Sequence, residues 1–75
     1  MRLKITDTNF TSINEWLFRL VDESENVYYI MNEPFYRKHN IKSPVSKKEL
    51  DCYGRGQWIT VSVEEIDGKR VVVNM

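Results

Sequence analysis

A chain of 75 residues holds one domain, residues 1–75, because a body of this size hides only about 60% of its unfolded surface and leaves nothing for a second core. Its 11 Lys and Arg balance its 11 Asp and Glu, which excludes a long-range pull on nucleic acid or an anionic membrane and leaves only local attraction. The longest apolar stretches, Val71 to Val73 and Trp16 to Phe18, fall far short of the about 20 residues that cross a bilayer. Cys52 is alone and no His or Cys clusters with it, which excludes an internal disulfide and a structural zinc site; it reads as a buried thiol.

The opening MRLKIT alternates polar and apolar residues and lacks the uninterrupted apolar run of a secretory signal, so a cytoplasmic location is the expectation. Leu3 and Ile5 against Arg2, Lys4 and Thr6 mark a strand with one wet face. Ile13 to Val21 is a second strand, with Trp16, Phe18 and Leu20 on one side and Leu17, Arg19 and Val21 on the other. Asp22 to Asn26 is entirely polar and reads as a turn, and Val27 to Met31 resumes a β-branched and aromatic run that should return as a hairpin.

Asn32, Glu33 and Pro34, followed by Arg37, Lys38 and His39, have the cap, the proline position and the charge order of a short helix. Ser46-Lys47-Lys48-Glu49 is a capping box that predicts a second short helix ending at Gly54. Trp58 to Ile66 alternates as one strand, with Ile59, Val61 and Val63 inward and Trp58, Thr60, Ser62 and Glu64 outward. Asp67-Gly68 turns it into a last strand at Val71 to Val73, because both turn positions tolerate positive φ.

Three strands, a helical connection and a closing hairpin predict a mainly β fold: a five-stranded small barrel with one or two short helices between strands three and four. The tail GQWITVSVEEIDGKRVVVNM resembles the closing hairpin of the OB repeats in ribosomal-type RNA-binding proteins. EPFYRKHNIKSP occupies the place of the connection between their third and fourth strands. The resemblance covers the C-terminal half of the chain. It implies single-stranded nucleic acid lying across strands two and three, with bases stacked on Trp16 or Phe18 and on Tyr28 or Tyr29. The glycine-aromatic cluster of those repeats has no counterpart here, since no glycine precedes Gly54.

Catalysis finds no support. His39 is the sole histidine and has basic neighbours, no nucleophile stands at a recognisable spacing from it, and no phosphate-loop or metal motif occurs. Glu64 and Glu65, adjacent on a strand, point to opposite faces and cannot share a proton. No cofactor is implied. Residues 37 to 48 carry Arg37, Lys38, Lys42, Lys47 and Lys48 with no acid among them, and residues 7 to 33 are predominantly acidic, so charge is separated along the chain although its sum is zero.

Three Phe, four Tyr and two Trp are more rings than a small barrel can hide. Exposed rings stack on bases, and they also anchor protein interfaces. Two readings follow. The first is a binding module for single-stranded RNA or DNA using Trp16, Phe18, Tyr28 and Tyr29 with Arg19, Arg37, Lys38, Lys47 and Lys48. The second is a protein-interaction module or small regulator that uses an edge strand or the Trp58 face. A homo-oligomer that buries its surplus rings between copies is a third.

Overall fold

The computed structural model describes residues 1–10 and 15–75. Strands β1 (Arg2–Thr8), β2 (Trp16–Val21) and β3 (Val27–Met31) form an antiparallel meander. Helix α1 (Glu33–Lys38) and a 3-10 helix (Lys47–Cys52) follow, then β4 (Trp58–Thr60), β5 (Ser62–Ile66) and β6 (Lys69–Asn74). The described residues make one six-stranded sheet in the order β4-β1-β2-β3-β6-β5. Every neighbouring pair is antiparallel except β3 and β6, which are parallel. The start of the second expected strand, Ile13 and Asn14, lies outside the described residues.

The strand expected over Trp58 to Ile66 is two strands, so the sheet has six strands and not five. Val61 marks the break. Its N–H donates to the Met1 carbonyl at 2.7 Å and its carbonyl accepts from the Met1 ammonium at 3.1 Å, which holds the chain against β1 up to that point. Beyond it, Ser62 and Val63 pair with Asn74 and Val72 of β6. The chain thus passes between opposite edges of the sheet through one residue. A flat sheet cannot accommodate that passage, so the strands curl into a half-barrel, an arrangement compatible with an OB-like fold. It is not a closed barrel, because β4 and β5 each keep one side without a strand partner among the described residues.

Alternation along the strands fills the concave side. Leu3, Ile5, Phe18, Leu20, Tyr28, Ile30, Ile59, Val61 and Val72 form its core with Val45 from the connection, and Leu50 and Tyr53 pack against them. Each fully buried Leu, Ile or Phe contributes about 1.5–3 kcal/mol. The 3-10 helix covers this core with little of its own body, since none of its residues is buried. That is why Cys52, expected inside, is exposed.

The turns are those the residues dictate. Asp67 and Gly68 take φ of 51° and 74°, the two positive values of the tight hairpin turn whose twist matches the strands. The Asp22 carboxylate accepts from Ser24 N–H (2.8 Å), Asn26 N–H (2.9 Å) and the Asn26 side-chain amide (3.0 Å), which shapes the turn between β2 and β3. The Asn32 side chain accepts from Phe35 N–H at 3.2 Å and caps α1. At the second helical segment the Glu49 carboxylate accepts from both the N–H and the hydroxyl of Ser46, and the segment is a 3-10 helix.

Candidate nucleic-acid interface on the outer sheet face

The convex side of the sheet is divided. Over β3 and β6 it is covered by α1, whose Tyr36 is fully buried with Met31 and Val71; Trp16, Tyr29, Phe35, Ile41 and Ile66 are packed around them. The Tyr36 hydroxyl donates to the Val72 carbonyl at 2.6 Å and accepts the Met31 N–H at 3.1 Å. It therefore bridges β3 and β6 beyond their one strand-pair position, Tyr29 opposite Val71. Burial holds the phenol well above its ordinary pKa, so it stays a neutral donor.

Over β4, β1 and β2 no described element crosses the same side. Leu3, Ile5 and Ile59 point inward, so Arg2, Lys4, Trp58 and Thr60 point outward, with Lys4 opposite Trp58 and Arg2 opposite Thr60. Trp58 is 38% exposed, as its outward parity in the sequence predicts. The Arg2 guanidinium stands 5.6 Å and the Lys4 ammonium 5.9 Å from its ring centroid. Cations at this range are attracted by the ring quadrupole, and indole is the best such ring.

Beside this trio lies a second group built by two local irregularities. A bulge between Ile5 and Asp7 brings Asp7 opposite Arg19 of β2, and the Thr6 hydroxyl secures it by donating to the Arg19 carbonyl at 3.1 Å. The loop Gly54–Gln57 is stapled to β1, with Gly56 N–H donating to the Ile5 carbonyl (2.8 Å) and Ile5 N–H to the Gln57 carbonyl (2.9 Å). Gly56 has φ of 85°, which this tight return requires. The outcome is one carboxylate between two guanidinium groups: Asp7 lies 3.5 Å from Arg19 and 3.8 Å from Arg55.

The residues expected to form a stacking surface on β2 and β3 separate into two sets. Phe18 is fully buried, edge-on to Phe10 and Tyr53. Tyr28 is buried too, its hydroxyl reaching Asp22 at 2.8 Å and Arg70 standing 5.7 Å from its ring. Neither ring is presented to a ligand, because both belong to the concave side. Strand parity puts Trp16 on that side with Phe18, but a bulge between the two residues turns it outward to Tyr29. Their centroids are 5.8 Å apart with planes at 50°, and both rings are half-buried beside α1 in a small recess with Glu15, Met31 and Lys69.

The basic segment does not join Trp58. Arg37, Lys38, Lys47 and Lys48 are exposed. Arg37 is paired with Glu33 at 2.7 Å. With Lys47 it borders an open groove beside Ile41, Val45 and Leu50, to which Trp16, Tyr29 and Trp58 do not contribute. No local pattern in the sequence marks Arg2, Lys4 and Arg55 as a group. The alternation of MRLKIT turns the first two outward, but only the non-local β1–β4 pairing places them beside Trp58.

His39 is engaged with structure. Its Nε2 lies 3.1 Å from the Asp67 carboxylate without the alignment of a hydrogen bond, and its ring packs on Phe35 with centroids 4.7 Å apart. Among the described residues no group of His, Cys, Asp and Glu could hold a metal ion, and no helix is long and apolar enough to cross a membrane. Comparison with known proteins finds no family model, no curated protein and no solved structure that matches this chain.

Proposed function

We propose that this chain is a non-catalytic binding module whose open sheet face takes single-stranded RNA or DNA. The observation that carries the reading is the exposed Trp58 with Arg2 and Lys4 over its ring. A base has a π-face for the indole and the Arg2 guanidinium plane, and the backbone phosphates have the two cations beside it. Stacking on Trp58 and charge from Arg2 and Lys4 are indifferent to base identity, so these two contributions predict tolerance of sequence.

The zero net charge sets the range of the attraction. A phosphate backbone is drawn in only close to Arg2, Lys4, Arg19 and Arg55, and each phosphate neutralised makes binding fall as salt rises. The three-strand meander, the helical connection, the parallel β3–β6 pair and the final hairpin support an OB-like arrangement, and such folds bind oligonucleotides on this class of sheet surface. The working face, however, lies on β4, β1 and β2, displaced from the strands two and three of the RNA-binding repeats.

A second reading rests on β5. This strand has one side without a strand partner among the described residues and carries exposed Glu64 and Glu65, an edge to which an extended segment of a protein partner could add. Amide shifts on titration with a mixed-sequence single-stranded oligonucleotide, at low and at moderate salt, separate the two. Nucleic-acid binding moves β1 and β4 around Trp58, and the shifts fade as salt rises. Silence at near-millimolar oligonucleotide would end that reading and leave the edge-strand reading ahead.

A further inference from the structure

We infer that Arg19 and Arg55 form a phosphodiester-binding fork in which the Asp7 carboxylate stands as a resident competitor. The inference rests on the reading of the open face as a nucleic-acid surface and assigns one of its subsites. Two features that a plain strand and turn would lack, the bulge at Thr6 and the Gly56 return, converge to bring these three side chains together. Bulges re-aim side chains and are over-represented next to functional sites.

The contacts are loose. At 3.5 and 3.8 Å, with side-chain exposures of 45% for Arg19, 74% for Arg55 and 36% for Asp7, the carboxylate is held by exposed ion pairs of the kind that contribute little to stability. Two guanidinium groups around one carboxylate leave most of their ten N–H donors free, since each guanidinium carries about five. A phosphodiester presents the same two-oxygen anionic edge and accepts paired N–H donors from arginine. It can therefore replace Asp7 at the fork, and Asp7 swings to water at small cost. The carboxylate holds the two like-charged arginines together when the face is empty, and an entering anion must out-compete it.

The test is fluorescence anisotropy with a short, labelled, mixed-sequence single-stranded DNA, alongside a thermal melt of each variant. Asp7→Asn removes the competing charge while keeping the side chain's shape, and is expected to tighten binding about threefold to tenfold with an unchanged melt. In an Arg19→Ala or an Arg55→Ala background the gain should vanish. A gain that survives in both backgrounds is a net-charge effect and overturns the fork. So does an unchanged or weaker affinity of Asp7→Asn when the wild type binds through Trp58. Should the wild type not bind at all, the reading of the face falls, and inorganic phosphate titrated against the side-chain Nε–H resonances of Arg19 and Arg55 in Asp7→Asn decides the fork alone: shifts of both retain it, and their absence removes it.

Discussion

The two halves of the convex sheet surface differ in what covers them. Over β3 and β6 the chain supplies its own lid, α1, and Trp16 and Tyr29 become packing beside the buried Tyr36. Over β4, β1 and β2 no element crosses among the described residues, and Trp58 meets water with two cations over it. Ring content therefore does not separate a binding surface from a packing surface in this molecule. Position relative to α1 does.

The largest effect expected from breaking this contrast lies on the covered half. Tyr36→Phe keeps the ring and removes the hydroxyl that serves Met31 N–H and Val72 C=O. Two buried groups lose their partner, and the expected loss of stability in urea unfolding is about 2–4 kcal/mol. A loss below about 0.5 kcal/mol would mean that water replaces the hydroxyl and that the lid is a loose one.

Trp58→Ala and Trp16→Ala form a reciprocal pair. The first should weaken binding of a single-stranded oligonucleotide by about 1–3 kcal/mol and lower the melt less than the second, because Trp58 is 38% exposed. The second should do the opposite, lowering the melt with little change in affinity. Equal effects of both on affinity would extend the interface onto β2 and β3 and dissolve the division. A smaller change is expected for Lys4→Ala: the slope of log affinity against log salt should flatten by about 0.7 if its ammonium contacts one phosphate of a single strand.

The smallest effect concerns the Asp22 turn, which joins the open half to the covered one. Hydrogen bonds from the Asn26 side chain above all, and from Tyr28 and the Asn26 and Ser24 amides, hold its carboxyl at about 2, below its ordinary 3.8. A depressed folded-state value contributes stability that is fully present above the unfolded value and is lost as pH falls through the folded one. The amide resonances of Ser24 and Asn26 should therefore stay put down to about pH 4 and move together near pH 2, rather than near 4 as a free carboxylate would.

Much of the half-barrel was legible because alternation and turn chemistry are local. Leu3, Ile5, Ile59 and Val61 pointed inward by parity, Asp67-Gly68 named its own turn, and Asn32 with Pro34 placed α1. What escaped was set by irregularities that a period of two cannot register. The bulge after Trp16 separated it from Phe18, and the departure of Val61 from β1 split one strand into two. Phe18 and Tyr28 suit a stacking surface by type yet lie on the concave side, because residue type alone does not say which side of a curled sheet a ring occupies. The Arg2, Lys4 and Trp58 trio was hidden for a further reason, since β1 and β4, far apart in sequence, had to pair before its members became neighbours.

The Tyr36 bridge also bears on how the molecule opens. The hairpin of β5 and β6 meets the four-stranded leaf at a single strand-pair position, Tyr29 with Val71, at one phenol, and through Val71 and Val72 in the two cores. One strand-pair position closes this seam against three between β1 and β4, so detachment of the hairpin is expected to be the first cooperative opening of the native state. Amide protons of β6 should then exchange with solvent sooner than those of β1 and β2, through a motion that leaves the Trp58 side of the molecule folded.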